Sequence, residues 1–159
     1  MAGQERRQGF SSRPEMTTLL RKPVRIRERV VVALTDTIFA AWIGRHLRRL
    51  GWGVHLARSA AAARQLNAEF SPRIVVLDTH LPDESGWLTC EKMIRDDPTL
   101  KVILVGSQPD RGGPAFAEFV GAVVLIRQED GVQAVIREIV QDSAAIAETQ
   151  NHHIRKIED

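Results

Sequence analysis

The sequence of 159 residues contains one cysteine, no tyrosine and no long apolar run. Because a disulfide needs two cysteines, the lone Cys90 excludes an intramolecular disulfide and a cysteine-rich metal site, and the chain fits a reducing compartment. No apolar run approaches ~18 residues, and the basic N-terminus lacks a signal-like apolar core, so neither a membrane span nor secretion is indicated. We therefore expect a cytoplasmic protein without membrane contact.

Catalytic motifs are also absent. The chain has no nucleophile–base pair and no glycine loop of the kind that cradles phosphates, so we do not expect an independent enzyme. Its length gives room for one domain of ordinary size with tails. The sequence therefore favours a binding or signalling domain over a catalyst.

The charge is concentrated at the N-terminus. The whole chain carries +2, but residues 1–30 hold eight Lys/Arg against three Glu, a balance of +5, which leaves −3 for the remainder. Residues 1–27 are therefore predicted to be a basic, flexible arm that could touch nucleic acid, anionic lipid or an acidic protein. A solvated tail is the favoured interpretation, because no aromatic residue interleaves the arginines from Arg21 to Arg29 and no groove-reading motif follows.

Strand and helix patterns alternate after the arm. Apolar runs predict strands at 29–34, 53–57, 74–78, 101–105 and 122–126, and helical periodicity predicts helices at 38–50, 59–70, 87–95, 114–120 and from about 130. Such alternation forces right-handed crossovers between parallel strands. We predict an α/β fold, a flavodoxin-like, doubly wound, five-stranded parallel sheet with helices on both faces.

Asp78 ends the third predicted strand, the continuous apolar run Ile74–Leu77. In open α/β sheets, ligands bind at the carboxyl edge of the strands, and the helix N-termini that follow favour anions. A carboxylate at this position either takes part in the chemistry of a bound ligand or caps the loop by accepting hydrogen bonds from backbone N–H groups. Asp83 and Glu84 in the loop beyond it are interpreted as turn residues.

The span from Arg29 to about Val140 resembles the receiver domain of bacterial two-component response regulators. The resemblance is carried by the run from Asp78 to Gly86, an acceptor aspartate followed by Pro82 and the glycine at that family's spacing, together with Gly51 after the first helix. It implies a domain over 28–142, with a helical extension and polar tail over 143–159. It also implies that Asp78 is the phosphoacceptor, with Mg²⁺ bound beside it.

The metal-binding positions depart from the family pattern. The two acidic residues that hold Mg²⁺ after strand one correspond to Leu34 and Thr35, and Asp36 comes one position late. Magnesium is a hard cation that needs oxygen ligands and neutralises phosphoryl charge, which a leucine side chain cannot do. His80, two residues beyond Asp78, lines the site by family position, but a solvated loop histidine is favoured over a metal ligand.

The positions that would hold the phosphoryl group also depart. The Ser/Thr that ends strand four in the family corresponds to Gly106, with Ser107 one residue later, and the lysine after strand five corresponds to Gln128. Arg127 is adjacent, but neighbouring strand residues point to opposite faces of a sheet. The aromatic switch residue of strand five is Leu125. A fixed cation and a switch residue are therefore both replaced.

Two hypotheses explain these departures. In the first, Asp36, Asp78, Ser107 and Arg127 rebuild the site one residue out of register, with Asp36 and Asp78 as metal ligands for Mg²⁺. In the second, the domain has lost metal-assisted phosphorylation and keeps Asp78 as a loop carboxylate that accepts backbone N–H bonds. The second is favoured, because each lost electrostatic contribution is worth roughly 2 to 4 kcal/mol, and no cofactor is expected.

Two features point to interaction with other proteins. Two glycines and a proline within residues 110–114 predict a short or mobile fourth helix and thus an altered partner face. The last helix, predicted to reach about Glu148, carries an apolar stripe beyond Val140, which suggests a homodimer or partner contact.

We therefore expect a stand-alone, atypical receiver that binds a signalling protein or a transcriptional regulator without phosphorylation. One alternative is a single-domain receiver phosphorylated on Asp78 by a histidine kinase. A further alternative, considered unlikely, is nucleic-acid binding through the arm and the Arg45, Arg48 and Arg49 face of the first helix, for which strong salt dependence would be the signature.

Overall fold

The computed structural model describes residues 28–107 and 112–155, with side chains described as far as residue 144. The predicted arm at 1–27 lies outside the described residues, as do 108–111 and the last four residues of the predicted tail.

The fold is a five-stranded, fully parallel sheet with the strand order β2-β1-β3-β4-β5. The elements in chain order are β1 (Arg29–Ala33), α1 (Thr37–Arg49), β2 (Gly53–Ala57), α2 (Ala60–Phe70), β3 (Ile74–Asp78), α3 (Gly86–Asp96), β4 (Lys101–Gly106), α4 (Gly113–Phe119), β5 (Val124–Arg127), a 3₁₀ turn (Gln128–Asp130) and α5 (Val132–Arg155). The β-branched strands favour this pleated, buried arrangement. The predicted doubly wound α/β fold is confirmed.

Two sets of apolar side chains fill the two sides of the sheet. One lies under α1 and α5 and includes Val30, Val32, Leu34, Ile43, Leu47, Ile74, Val76, Ile103, Val105, Val135 and Ile139. The other lies under α2, α3 and α4 and includes Val31, Ala33, Ala63, Val75, Leu77, Cys90, Met93, Val102, Leu104 and Ala117. Alternate residues of each strand face opposite sets, as the pleat requires. Strand β3 is the central strand of the sheet and is buried along its whole length. Its last residue, Asp78, therefore lies at the centre of the carboxyl edge.

Several predicted element ends were wrong by one to several residues. β1 ends at Ala33, so Leu34 lies just beyond it, while α3 runs from Gly86 to Asp96. α5 begins at Val132, because a 3₁₀ turn and Gly131, which has a φ of 85°, separate it from β5. α5 then continues to Arg155 rather than ending near Glu148, since no glycine or proline follows Gly131 to stop it. Self-association through that end stays a prediction.

The fourth helix is short, as its glycines and proline predict. α4 has only seven residues and begins at Gly113, with Pro114 in its first turn, where a missing N–H is tolerated. Its end exposes Phe119, whose side chain keeps 82% of its surface in contact with solvent. The short helix thus places aromatic side chains on the protein surface.

Two carboxylates fix the loop that follows β3. Asp83 accepts hydrogen bonds from the N–H groups of Ala60 (2.8 Å) and Ala61 (2.9 Å) at the start of α2. Glu84 accepts from Lys92 and from Thr89 (2.8 Å), and it pairs with Arg64. These residues therefore join α2 and α3 to the loop, a role beyond the turn-forming one predicted from the sequence.

Gly86 closes the loop against β3. A Cβ atom at this position would lie 1.9 Å from the carbonyl oxygen of Asp78, and the Gly86 N–H donates to the Thr79 carbonyl at 3.0 Å. Only glycine lets the two backbone segments approach this closely. This contact explains the glycine at the end of the run that begins with Asp78.

We expect Gly86→Ala to lower the free energy of unfolding by about 2–3 kcal/mol, because the added methyl group overlaps a backbone carbonyl that cannot rotate away. Urea unfolding followed by circular dichroism measures the change. Gly44→Ala in α1 is the matched control, since its Cβ would meet side-chain atoms at 3.4 Å, an ordinary contact. Equal stability of the two variants would contradict the proposed overlap.

The carboxylates of Asp83 and Glu84 make the stability of the fold depend on pH in the acidic range. Hydrogen bonds from Ala61 and Ala60 lower the pKa of Asp83, and the Lys92 ammonium lowers the pKa of Glu84. A carboxyl whose pKa is lower in the folded state stabilises the fold above its unfolded pKa, near ~4, and this contribution is lost as the pH falls through the folded pKa. We expect the thermal midpoints of wild type and Asp83→Asn/Glu84→Gln to converge between about pH 5 and pH 3. A difference that stays constant over that range would argue against this assignment.

Candidate functional site

The carboxylate of Asp78 is buried, and both of its oxygens accept hydrogen bonds from the protein. Its Oδ2 accepts from the N–H of Thr35 (3.1 Å) and from the Thr35 hydroxyl (2.5 Å). Its Oδ1 accepts from the N–H of His80 at 2.9 Å. The side chain is only 5% exposed. Asp78 therefore joins the loop after β1 to the loop after β3. Both oxygens of the carboxylate take part in this connection.

Leu34 and Thr35 lie where the family resemblance places the metal carboxylates. Leu34 is buried and packs in the core under α1 and α5, while Thr35 is exposed and donates to Asp78. Among the residues the structure describes, no group of three His, Cys, Asp or Glu side chains is placed to hold a metal ion. A magnesium ion needs several oxygen ligands, and the donor set beside Asp78 does not fit it.

Asp36 is the N-cap of α1, and no described hydrogen bond joins it to Asp78. Its Oδ1 accepts from the N–H groups of Ile38 (3.1 Å) and Phe39 (2.9 Å), the bonds of a helix N-cap. Its Oδ2 accepts from the side-chain amide of Gln128 at 2.8 Å. Gln128 thus reaches across from the end of β5 to the loop after β1, and it brings a neutral amide there.

The other two members of the shifted-register hypothesis do not join Asp78 through any described hydrogen bond. The guanidinium of Arg127 pairs with Glu129 at 2.8 Å and with Asp130 at 3.2 Å. Gly106 ends β4 opposite Arg127, and Ser107 lies exposed just beyond it. The structure therefore brings together Thr35, Asp78 and His80 in one group, and Asp36 with Gln128 in another.

The sequence interpretation placed Thr35 at the site only as the replacement for a metal carboxylate, and it missed Thr79. Thr35 bonds Asp78, and Thr79 is buried with its hydroxyl 3.0 Å from Nδ1 of His80. The available signal was position, since both follow strand ends that meet at one edge of the sheet. A hydroxyl is both donor and acceptor, so it can satisfy a buried carboxylate without adding charge.

Cys90 takes no part in any such site. Its side chain is fully buried in the core under α3, and burial raises the pKa of the thiol to about 12. Because the thiolate is the reactive form, this cysteine is inert at neutral pH.

A second candidate site is an apolar groove between α3 and α4, which the sequence did not predict. It has a volume of about 400 Å³ and is lined by Ser85, Trp87, Leu88, Glu91, Phe116, Phe119 and Val120. The ring of Phe116 lies 4.9 Å from that of Trp87 and 5.9 Å from that of Phe119. Rigid, exposed aromatic side chains of this kind are typical of protein-binding surfaces.

No helix in the described part of the chain is long and apolar enough to cross a membrane.

Comparison of the sequence with protein families finds no match. The chain is similar to the probable transcriptional regulatory protein TcrX of Mycobacterium tuberculosis, with 32% identity over 76 residues, which cover 48% of this chain and 32% of that protein. The chain therefore matches about a third of the length of this curated relative.

Solved structures are similar to this chain over a larger share of its length. The CheY-like response regulator receiver domain protein of Methanospirillum hungatei is 21% identical with a TM-score of 0.67, over 72% of this chain and 92% of that one. The signal receiver domain of a putative Luxo repressor protein from Vibrio parahaemolyticus is 17% identical with a TM-score of 0.69, over 77% and 95%. The signal receiver domain of an HD domain-containing protein from Pseudomonas fluorescens is 22% identical with a TM-score of 0.67, over 72% and 93%.

These likenesses confirm the resemblance inferred from the run between Asp78 and Gly86. Identities this low establish the fold, and the fold is the one that the strand order and the two helical layers describe. The chain has the fold of the CheY-like response regulator receiver domains.

Proposed function

We propose that this protein is an atypical receiver that acts as a protein–protein interaction module in bacterial signal transduction or transcriptional control, without phosphorylation of Asp78. The observation that carries the proposal is the bonding of Asp78, because both oxygens of its carboxylate accept hydrogen bonds from the chain itself. In this proposal the protein works in the cytoplasm, catalyses no reaction of its own and needs no cofactor.

Phosphorylation would require groups that the described residues do not place at this site. Transfer to Asp78 needs an accessible lone pair on a carboxylate oxygen and positive charge that neutralises the phosphoryl group. The Thr35 hydroxyl lies 2.5 Å from Oδ2, Leu34 is buried in the core, and the side chain of Gln128 supplies a neutral amide instead of a cation. Several contributions of roughly 2 to 4 kcal/mol each are therefore missing from the transition state.

The alternative is phosphorylation of Asp78 by a histidine kinase, with Mg²⁺ held by Asp36 and Asp78. For this, Asp36 would have to give up its bonds to Ile38, Phe39 and Gln128. Losing a helix N-cap costs about 1 kcal/mol, which adds to the cost of freeing Asp78 from Thr35. The contacts therefore support the phosphorylation-independent function.

We expect no label on Asp78 when the protein is incubated with radioactive acetyl phosphate and millimolar magnesium, because the described residues place neither a group of metal-binding side chains nor a cation beside Asp78 to balance the incoming charge. Acid-stable gel autoradiography after short incubation measures the label, with an ordinary receiver as the positive control. Label that appears on the wild type and disappears in Asp78→Asn would contradict the proposal and favour the kinase-dependent alternative.

The groove between α3 and α4 is the proposed binding face. Its occupant in this proposal is an amphipathic helix of the partner, which lays apolar side chains against Trp87, Phe116 and Phe119. The lining includes the carboxylate of Glu91, whose exposed pair with Arg95 at 3.4 Å is weak, and the exposed Glu118 lies next to Phe119 on α4. A partner helix with a basic flank would complement these carboxylates.

We expect Phe119→Ser to weaken partner binding by at least about tenfold, because removing a central aromatic anchor typically costs more than ~1.4 kcal/mol. The partner is first captured from cells with purified wild-type protein, and a synthetic peptide of its amphipathic helix is then titrated against Trp87 fluorescence. Phe119→Ser should lose the response.

Leu56→Ser and Asp78→Asn are the controls for that titration. Leu56 is 44% exposed on the edge strand β2 and lies outside the groove, so its replacement should leave the affinity unchanged. Asp78→Asn should also bind the peptide. Equal loss of affinity in Leu56→Ser, or loss only in Asp78→Asn, would contradict the assignment of the binding face.

A further inference from the structure

The first helix and the edge strand of the sheet form a surface with cations and no carboxylates. Residues 37–68 contain no Asp or Glu, and they include the five arginines Arg45, Arg48, Arg49, Arg58 and Arg64 and the two histidines His46 and His55. This stretch covers α1, β2 and most of α2, and β2 is an edge strand. Glu69, exposed near the end of α2, is the first acidic residue after this stretch. A surface on which cations outnumber carboxylates attracts polyanions.

A pocket lies within this surface. It has a volume of about 410 Å³ and is lined by Arg29, Arg48, Trp52, Gly53, Val54, His55 and Phe70. The imidazole of His55 stacks on the ring of Phe70 at 3.8 Å and 14°. The guanidinium of Arg29 lies 6.0 Å from the centre of that ring and donates to the Phe70 carbonyl at 3.0 Å. The pocket thus combines cationic and flat aromatic side chains.

The arginines of the pocket belong to the described arginines that have no ion-pair partner in the described part of the chain. Arg64, Arg73, Arg95 and Arg127 each pair with a carboxylate, whereas no described carboxylate pairs with Arg29 or Arg48. The helix dipole accounts for a cation such as Arg48 in the last turn of α1. It does not account for a second guanidinium and two stacked rings in the same pocket.

We propose that this pocket binds single-stranded nucleic acid, with backbone phosphate between Arg29 and Arg48 and a base against the ring pair of His55 and Phe70. Arginine matches phosphate in geometry and charge. Single-stranded nucleic acid is bound by positively charged grooves in which unpaired bases stack on aromatic side chains. The proposal is independent of Asp78 and of the groove between α3 and α4.

The sequence outside the described residues supports a long anion over a single nucleotide. Arg21, Lys22, Arg25 and Arg27 precede Glu28, and Arg29 of the pocket follows it directly. Glu28 is itself paired with Arg73 at 3.1 Å, so it does not neutralise these cations. The proposal departs from the expectation that nucleic acid is an unlikely partner. That expectation rested on the missing aromatic residues between Arg21 and Arg29, and the aromatic residues of the pocket come from β2 and α2 instead.

The test is fluorescence anisotropy of the full chain with a fluorescein-labelled oligothymidine of about 16 nucleotides. We expect binding that weakens as salt rises, and Arg29→Gln/Arg48→Gln to bind about tenfold more weakly with a salt slope lower by roughly one phosphate contact. Phe70→Leu should weaken binding while leaving that slope unchanged, because stacking releases no counterions.

Arg48→Gln alone guards against a folding defect, since the Arg48 side chain makes no described hydrogen bond that its loss would break. This single variant should lower the logarithm of the affinity, and the salt slope, by about half as much as Arg29→Gln/Arg48→Gln does. Arg95→Gln on α3 is the control and should bind as the wild type does. The proposal would be overturned if Arg48→Gln and Arg95→Gln had the same affinity for oligothymidine. It would also be overturned if a duplex or inorganic polyphosphate bound as tightly as the oligothymidine.

Discussion

A buried carboxylate must be hydrogen-bonded, and the way Asp78 meets this requirement decides what the site can do. Desolvation makes an unpaired charge in the interior costly by several kcal/mol. Three donors from two loops, two of them on Thr35 and one on His80, satisfy the carboxylate. The same bonds that make the charge tolerable also use three of the roughly four lone-pair sites of the carboxylate that would attack a phosphoryl group. Under the proposed function, the structural use of this aspartate takes precedence over its chemical use.

The layers of the fold can be predicted from the sequence, because burial determines the spacing of apolar residues along the chain. The run Ile74–Leu77 has to be apolar on both faces of the sheet, so it could be recognised as a central parallel strand without a structure. The predictions were wrong at element ends, where an apolar residue such as Leu34 lies beyond its strand and a polar stretch stays helical. The polar end of α5 continues to Arg155 because each helical turn supports the next in the absence of a breaker.

The site was harder to predict than the fold, since it depends on contacts between distant residues. Counting positions placed Leu34, Thr35 and Gln128 at the edge of the sheet, but only geometry shows that the Gln128 amide reaches Asp36 and that the Thr35 hydroxyl reaches Asp78. The pairing of Phe70 with His55 has the same character, because the two rings come from different elements. A search for aromatic residues within a basic stretch of sequence cannot detect such a pair.

The retention of an aspartate at position 78 does not by itself require phosphorylation. An asparagine there would offer one acceptor oxygen and one NH₂ group, while the N–H groups of Thr35 and His80 approach opposite oxygens of the carboxylate. One of these backbone donors would then face another donor, at a cost of about 1–3 kcal/mol. The carboxylate is therefore the better side chain for joining the two loops, whether or not a kinase ever acts on it. By this argument, the loss of stability in Asp78→Asn reports the loop connection, and only covalent labelling reports the chemistry.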